Sequence, residues 1–291
     1  MIAYPAMSAA SPTQAHYRTT AERPGSFSQI LVGWREVWSR RRLIRYLVQA
    51  DMKKTGSDTL LGNIWWVMDP LLQMLVYVVF ISIIRGTTTP DYPLFVFSAI
   101  LPWKWFMTST QEGIQSVVTR ERLIKQLQFP KLVLPVASTA SGLVSFMFGL
   151  IPLAGLLLLL YRDRLDPHLL LLPAVMAVQF VFTMAVGVFL SAVNTFYRDV
   201  GNVSRHALRL WFYLSPALYS LDEVRKSHPT IAAFENFNPF AVLFTSYRAI
   251  IYNGTMPDWG GLAAWLITSL VLVALATAFF KRLEPSFAKI L

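Results

Sequence analysis

Residues 132–161 read LVLPVASTASGLVSFMFGLIPLAGLLLLLY, and this stretch holds no Asp, Glu, Lys or Arg. An α-helix needs about 20 apolar residues to cross the roughly 30 Å hydrocarbon core of a bilayer. Uncharged runs at Leu169–Phe196 and Gly260–Phe280 also reach that length, as does Ile64–Ile84, whose one charged residue is Asp69 near its start. These runs predict transmembrane helices and an all-α membrane protein.

The composition of the 291-residue chain agrees with this fold class. Hydrophobic residues make up 55% of it and charged residues 14%, against about 45–50% and about 25% in soluble domains. The chain has no cysteine, and its four His residues show no spacing typical of metal ligands, so we expect neither a disulfide nor a bound metal. The net charge of +10 falls between the apolar runs, which argues against a nucleic-acid partner.

Two weaker runs bring the predicted number of spans to six. Tyr92–Thr110 is long enough but contains Pro102 and Lys104, and Ala207–Leu221 is short, with Arg209 near one end. Long basic side chains near a helix end reach the membrane surface, and proline is tolerated where neighbouring helices satisfy the freed carbonyl. Both runs are therefore predicted to span.

The segment between the fifth and sixth spans, 222–259, holds two apolar pieces, Ile231–Phe234 and Phe240–Ile251. Neither piece is long enough to cross a membrane. Short apolar pieces followed by turn residues predict re-entrant half-helices at the external face, which need protein or water beside them to satisfy their backbone.

The placement of Lys and Arg gives the topology. With the N-terminus inside, nineteen of the 26 basic residues fall on the cytoplasmic side, as the positive-inside rule requires. Both termini are thus predicted to be cytoplasmic. The predicted organisation is a disordered tail at 1–26, an amphipathic interface helix and linker at 27–63, a six-span domain at 64–281 and a cytoplasmic tail at 282–291.

Phe27–Gln49 carries apolar and basic residues at broadly helical spacing. A basic helix that bears tryptophans lies in the plane of the lipid headgroups, so Trp34, Trp38, Arg41 and Arg42 are predicted membrane-interface residues. The other interpretation is a collar around a cytoplasmic partner.

The cytoplasmic loop 117–131 has the pattern of a short amphipathic helix that stops before Pro130, because proline disfavours helix for the residue preceding it. Its apolar residues Leu123, Ile124 and Leu127 could dock into a soluble subunit. The other interpretation is an ordinary positive-inside loop.

Aromatic residues make up 14% of the chain, and many fall near predicted helix ends. They are explained either by the aromatic belt at the membrane surface or by an aromatic-lined conduit, since ring faces suit both sugar C–H surfaces and lipid. Glu112, near the inner end of the second span, stands out because carboxylates buried in a membrane are costly and usually functional.

Several motifs are absent. The phosphate-binding pattern G-x-x-x-x-G-K-[ST] does not occur, so the chain is predicted not to be an ATPase. The long spans also lack the paired acidic residues expected of a proton-coupled carrier or an intramembrane hydrolase. Energy for active transport would have to come from another chain.

Taken in order, six segments resemble the permease subunits of ABC type-2 polysaccharide exporters. They are Leu61–Trp65 with Pro70–Leu72, Leu123–Lys125 with Phe129–Pro130 and Leu134–Pro135, Phe196–Val200, Phe212–Tyr219, Asn238–Phe240 with Tyr247–Arg248, and Arg282–Ala288. One departure is Asp69, which stands where the family usually has Asn.

The resemblance implies a homodimer of six-span subunits with two copies of a separate ATPase, which would bind ATP and Mg while this chain binds no cofactor. Such a complex exports polyprenyl-diphosphate-linked polysaccharide, of the O-antigen, teichoic acid or cell-wall galactan type, across the cytoplasmic membrane of a bacterium. The implied ATPase-coupling residues are Arg120, Arg122, Leu123, Ile124, Lys125, Phe129, Arg198 and Asp199. The implied channel or gate residues are Trp103, Trp105, Phe106, Phe212, Tyr213, Tyr219, Asn238, Tyr247 and Arg248.

Two other functions compete with this one. An ABC type-2 exporter of small amphiphiles, such as drugs or simple lipids, shares the six-span design and the external ATPase. A membrane-embedded glycosyltransferase or lipid phosphatase should show Asp, Glu or His clustered at one membrane face, whereas these residues are scattered here.

Overall fold

The computed structural model describes residues 26–56, 61–85, 91–221, 224, 226, 235 and 237–291, and across these residues every regular element is helical. The α-helices are α1 Ser26–Ser39, α2 Arg41–Gly56, α3 Trp65–Arg85, α4 Tyr92–Gln115, α5 Glu121–Gln126, α6 Val133–Leu159, α7 Leu172–Phe196, α8 Val200–Leu214, α9 Pro239–Arg248 and α10 Trp259–Ile290. Short 3₁₀ turns lie at Gly62–Ile64, Val118–Arg120, Arg162–Arg164 and Pro167–Leu171.

Three helical stretches are long and apolar enough to cross a membrane: Val133–Leu159, Pro167–Phe196 and Trp259–Ile290. A shorter apolar stretch, Val67–Ile83, lies within α3. Helix α7 packs along α10 on one side and against α4 on the other, and α4 also packs against α6. The prediction of an all-helical membrane protein is confirmed, while the count of six spans stays a prediction.

Helix α4 is continuous through Pro102 and runs to Gln115, five residues beyond the predicted end of the second span. A neighbouring helix supports the proline: the Gln179 side-chain amide of α7 donates to the Pro102 carbonyl oxygen at 2.7 Å. This hydrogen bond ties α7 to α4 at the proline, whereas the carbonyl group that Pro102 leaves without a helical donor is that of Ser98, four residues earlier.

The fifth predicted span, Ala207–Leu221, was placed too late in the chain. Helix α8 occupies Val200–Leu214 instead. It ends where Pro216 disfavours a helical conformation of Ser215, and it begins early because the charged residues that interrupted the apolar run all lie on one face of the helix.

The interface helix predicted at Phe27–Gln49 is two consecutive helices that meet at Arg40. The Ser39 hydroxyl donates to the Glu36 carbonyl oxygen at 2.7 Å. A serine that bonds to the preceding turn competes with the backbone pattern of the helix. The predicted tail at 1–26 lies, except for Ser26, outside the described residues.

Helix α9 corresponds to the predicted piece Phe240–Ile251. A π turn, Ala249–Asn253, extends it and ends at Gly254, whose φ of 62° is left-handed and therefore suits glycine. The other predicted piece, Ile231–Phe234, lies outside the described residues. Helix α10 continues through Pro285, so residues 282–290 of the predicted tail are helical.

One end of the molecule gathers the first and last described segments. The Lys281 ammonium forms an ion pair with Glu36 of α1 at 2.7 Å, and the Lys125 ammonium donates to the backbone carbonyl oxygen of Leu291 at 2.8 Å. We call this the inner end, after the predicted topology. At the opposite, outer end, Arg164 pairs with Asp91 at 2.8 Å.

Candidate functional site

The predicted coupling loop forms the short helix α5 at the inner end. Its residue Ile124 is buried, as is Phe129 after it, and both belong to a hydrophobic cluster with Val37, Leu47 and Phe287. The predicted helix is thus confirmed, but part of its apolar side is covered by the subunit's own N-terminal helices and α10. Leu127 remains 56% exposed.

Arg120 and Arg122 have different surroundings. The Arg120 guanidinium forms an ion pair with Asp51 of α2 at 2.7 Å, which fixes the start of the coupling segment to the interface helices. Arg122 is exposed. Of the two arginines, Arg122 is therefore the more accessible to solvent.

Lys125 is anchored within the subunit although it is exposed. Its ammonium pairs with Glu121, four residues earlier on the same helix, at 2.6 Å. This cation lowers the pKa of the Glu121 carboxyl, and the charge of Arg198 lowers it further. Arg198, in the turn between α7 and α8, is thus near enough for its charge to act on Glu121.

The two predicted cytoplasmic loops both present exposed residues at the inner end. We define the coupling surface as the exposed residues Arg122, Lys125, Leu127, Tyr197, Arg198 and Asp199. It combines positive charge with two exposed apolar side chains, a composition that suits a polar, partly apolar protein partner.

The predicted interface residues divide in the same way. Trp38 is 74% exposed, and Arg41 and Arg42 are exposed beside it. Trp34 is half-buried and packs against the hydrophobic cluster of the inner end. One face of α1 is therefore held by the protein, and the other is available to lipid.

Most of the predicted channel aromatics form a packed core within the single subunit. Trp103 is 2% exposed, and its ring centroid lies 4.7 Å from that of Phe240 and 5.4 Å from that of Phe212. Phe106 is fully buried and lies 4.6 Å from Phe240. These edge and tilted contacts are the geometries that aromatic pairs prefer.

Trp105 and Tyr247 are also buried, and Trp105 stacks on Phe146 with a centroid distance of 4.7 Å. Tyr213, by contrast, is 53% exposed. The described structure adds core packing to the two explanations offered for these aromatics, because hydrophobic spacing does not reveal which neighbour covers a ring. A role for them in transport stays a prediction.

Asn238 joins the end of α8 to the start of α9. Its side-chain oxygen accepts from the Phe240 backbone N–H at 3.0 Å, which caps α9, and from the Trp211 indole N–H at 3.1 Å. Its amide donates to the Ser215 hydroxyl at 3.0 Å and to the Glu235 carboxylate at 2.9 Å. Two of these four hydrogen bonds, to Trp211 and Ser215, join the end of α8 to the start of α9, and the other two hold Asn238 itself in place.

Arg248 completes this connection from the other end of α9. It is only 4% exposed, and its guanidinium donates to the carbonyl oxygens of Pro216 at 2.6 Å and Ala217 at 2.5 Å. It also donates to the Tyr219 carbonyl oxygen at 3.3 Å and lies 3.6 Å from the centroid of the Phe95 ring. The cation thus satisfies the backbone of the non-helical segment that follows α8.

Glu235, Trp211 and Ser215 were not among the predicted gate residues, although they bond to Asn238. The Glu235 carboxylate also accepts from the Tyr219 hydroxyl at 3.3 Å. A signal existed in the sequence, since an acidic residue three positions before Asn-Pro can reach the same helix start. The partners on α8 left no such local signal.

Glu112 borders two cavities at the inner half of α4. The smaller, of about 170 Å³, is also lined by Asp69 and Lys104, which form an ion pair at 3.0 Å. The larger, of about 550 Å³, is also lined by Asp51 and Arg120. The carboxylate predicted from sequence therefore lies among other charged groups.

Comparison with known proteins decides the family. Residues 42–252, most of the chain, match the family described as ABC-2 type transporter. The chain belongs to the ABC-2 type transporter family. The resemblance noted in the sequence is confirmed, and membership agrees with the several apolar helices of a multi-pass membrane protein.

The relatives of this ABC-2 family member cover nearly its whole length. It is 33% identical over 255 residues to the O-antigen export system permease protein RfbA of Myxococcus xanthus, and the aligned region covers 88% of this chain and 97% of that protein. It is 27% identical over 252 residues to the protein of the same name from Klebsiella pneumoniae, covering 86% and 95%. Both relatives are thus matched from near one end to the other.

Proposed function

We propose that this chain is the channel-forming subunit of an ATP-driven exporter that moves polyprenyl-diphosphate-linked polysaccharide, of the O-antigen type, across the cytoplasmic membrane. The observation that carries the proposal is the similarity, over 88% of the chain, to a relative named as an O-antigen export permease. Phe212 and Phe240 of the aromatic core, together with Asn238 and Arg248, lie in segments on which the family resemblance rests.

The proposed complex contains two copies of this chain and two copies of a separate ATPase, which binds ATP and Mg. The coupling surface supports this arrangement, because Arg122 and Arg198, from two different loops, are both exposed and both near enough to act on the charge of Glu121. The chain holds no P-loop pattern, so in this proposal hydrolysis takes place in the partner. Both termini are placed in the cytoplasm, and Trp38 with its exposed neighbours faces membrane lipid.

Depletion of the chain in its native cells tests the proposed cargo. We expect lipid-linked glycan to accumulate at the inner leaflet, where added lectin reaches it only after the membrane is opened, and we expect a plasmid copy to restore surface glycan. Unchanged surface glycan together with new sensitivity to small amphiphiles would favour the rival exporter class instead.

A further inference from the structure

Helix α8 is two-faced. Gly201, Ser204, Leu208 and Phe212 are buried against the subunit. The opposite face exposes Arg205, His206, Arg209 and Tyr213. Since residues four apart lie above one another on a helix, Arg205, Arg209 and Tyr213 form one stripe.

The stripe extends from the inner end towards the middle of the subunit. Gly201 touches the inner end of α4, because a Cβ at this position would lie 2.1 Å from the side-chain nitrogen of Gln115. Phe212 packs against Trp103, at the centre of α4. With a rise of about 1.5 Å per residue, Arg209 lies about 12 Å from Gly201 along the helix. Arg209 also falls within the predicted fifth span, Ala207–Leu221, and that prediction places it inside the membrane.

The neighbour of the stripe on α3 is also polar. The Tyr77 hydroxyl interacts with the side chains of Tyr213 and Gln73, and it lies near enough to Arg209 to interact with its positive charge. Its ring lies 5.5 Å from that of Phe212. In the described parts of the chain, no carboxylate lies within ion-pairing distance of Arg205 or Arg209.

An exposed guanidinium at this depth cannot face lipid at low cost. Insertion scales give roughly 2.5–3.5 kcal/mol for an arginine at the centre of a membrane helix, and such residues usually face a water-filled cavity or a charged partner. The stripe of α8 therefore belongs to a wet surface, and its two cations call for an anion.

We propose that Arg205 and Arg209, with Tyr213, bind the diphosphate of the lipid-linked glycan as it crosses the membrane. This inference rests on the proposed function, which supplies the cargo. The diphosphate is the charged part of the carrier and is the part most costly to move through a low-dielectric region. Arginine suits it because the planar guanidinium makes two parallel hydrogen bonds to phosphate oxygens.

The test uses the full complex of this chain with its ATPase in nanodiscs of neutral lipid. The probe is a radiolabelled polyprenyl diphosphate without glycan, and its binding is measured by displacement with the unlabelled compound. Arg209→Gln should weaken binding roughly tenfold, as expected for the loss of a charged hydrogen-bond donor. Arg209→Lys should weaken it less, because the charge stays and the fork is lost. The matched control is Arg162→Gln, an exposed arginine at the outer end, and it should bind as the native chain does.

A second experiment leaves both arginines in place. A benzophenone side chain introduced at position 213 should cross-link to the probe under light, and an excess of polyprenyl diphosphate should suppress the product. This arm remains informative if Arg209→Gln does not fold.

Three results would overturn the inference. One is equal probe binding by Arg209→Gln and the native chain. Another is equal displacement by phosphatidylglycerol, which would make the stripe a general surface for anionic lipid. The third is that Arg209→Gln makes the complex dissociate into single subunits while its affinity for the probe is unchanged, which would show that the stripe is a contact between subunits. Because the probe carries no glycan and needs no ATP, normal probe binding without glycan export would refute the proposed function and leave this inference standing.

Discussion

Arg248 shows how one residue stabilises an irregular part of a membrane protein. The backbone after α8 leaves its helix at Ser215, and its carbonyl groups would be costly to bury unpaired. The guanidinium donates to the carbonyl oxygens of Pro216 and Ala217, and the Phe95 ring covers its face. A cation held by carbonyl dipoles and a ring is less exposed to competition from water than a surface ion pair.

Replacing Arg248 by methionine tests this role. Arg248→Met removes the donors but keeps the volume, so at least two buried carbonyls lose their partners at a cost of about 2–4 kcal/mol. Thermal unfolding of the purified protein in detergent should show a Tm lower by roughly 5–10 °C. Arg162→Met, at an exposed arginine, is the control. Equal Tm values for the two variants would show that Arg248 does not hold this segment.

The family resemblance identifies both Arg248 and Asn238 as gate residues, but it does not predict which residues they contact. Arg248 reaches residues about thirty positions earlier in the chain, and Asn238 reaches Trp211 across a similar separation. Hydropathy describes only neighbours in sequence, so bonds of this kind are invisible to it. The capping bond, in which the Phe240 N–H donates to the Asn238 side-chain oxygen, could be predicted from the sequence, because Asn before Pro is a common start of a helix.

The helices pack most closely where small residues meet, as between α4 and α6. A Cβ built on Gly142 would lie 1.7 Å from the Ser109 hydroxyl oxygen and 2.9 Å from the Ser109 Cβ. In membrane proteins such small residues allow two helix backbones to approach. Further along α6, Gly155 has no atom within 4 Å of the same position.

Gly142→Ala should therefore lower the stability by about 1–3 kcal/mol, the usual cost of overpacking. Gly155→Ala places the same methyl group on the same helix in open space and should be neutral or slightly stabilising. Unfolding of both variants in one detergent gives the comparison. A Gly142→Ala variant as stable as Gly155→Ala would mean that α4 and α6 are less tightly packed than described.

The coupling surface gives a second prediction at the level of elements. Arg122→Glu combined with Arg198→Glu reverses two exposed charges on adjacent loops without touching the buried Ile124 or Phe129. We expect the affinity for the ATPase to fall at least roughly tenfold, because like charges at an interface are costly. Pull-down of the ATPase measures this, with Arg162→Glu as the control. Full retention of the ATPase by the double variant would place the docking site elsewhere.

Element boundaries show where sequence reasoning works and where it stops. The uncharged runs predict both ends of α6 and α7 and the start of α10 to within a few residues, because burial in lipid demands an unbroken apolar stretch. The end of α10 lies ten residues beyond the predicted span, at Ile290. The prediction for α8 is wrong because it counts charges along the chain. The arginines of α8 lie on one face of the helix, so its first half is helical although it is too polar to be predicted as part of a span.

The molecule as a whole brings α1, the coupling loop, the α7–α8 turn and the C-terminus to one end. The contacts of Lys281 with Glu36 and of Lys125 with Leu291 establish this proximity for α1, α5 and the last residues, and the close approach of Gly201 to Gln115 places the α7–α8 turn at the same end. It agrees with the nineteen basic residues that the charge rule assigns to the cytoplasm. Which side of the membrane this end faces is then a matter for labelling.

Single cysteines test the topology directly, because the chain has none of its own. Gln128→Cys and Lys289→Cys lie at the inner end and Asp163→Cys at the outer end, and all three positions are exposed. A thiol reagent that does not cross membranes should label only Asp163→Cys in intact spheroplasts and all three after permeabilisation. Labelling of Lys289→Cys in intact spheroplasts would refute the cytoplasmic C-terminus.

The central claim is that this chain forms a path for lipid-linked glycan and takes its energy from a separate ATPase. The most direct measurement is transport in proteoliposomes that contain both proteins, with the ATPase facing outwards and polyprenyl-linked glycan in the outer leaflet. Addition of ATP should move the glycan inwards, out of reach of an external glycosidase, and an inactive ATPase should abolish the movement. Glycan that stays accessible in the presence of ATP and active ATPase would contradict the claim.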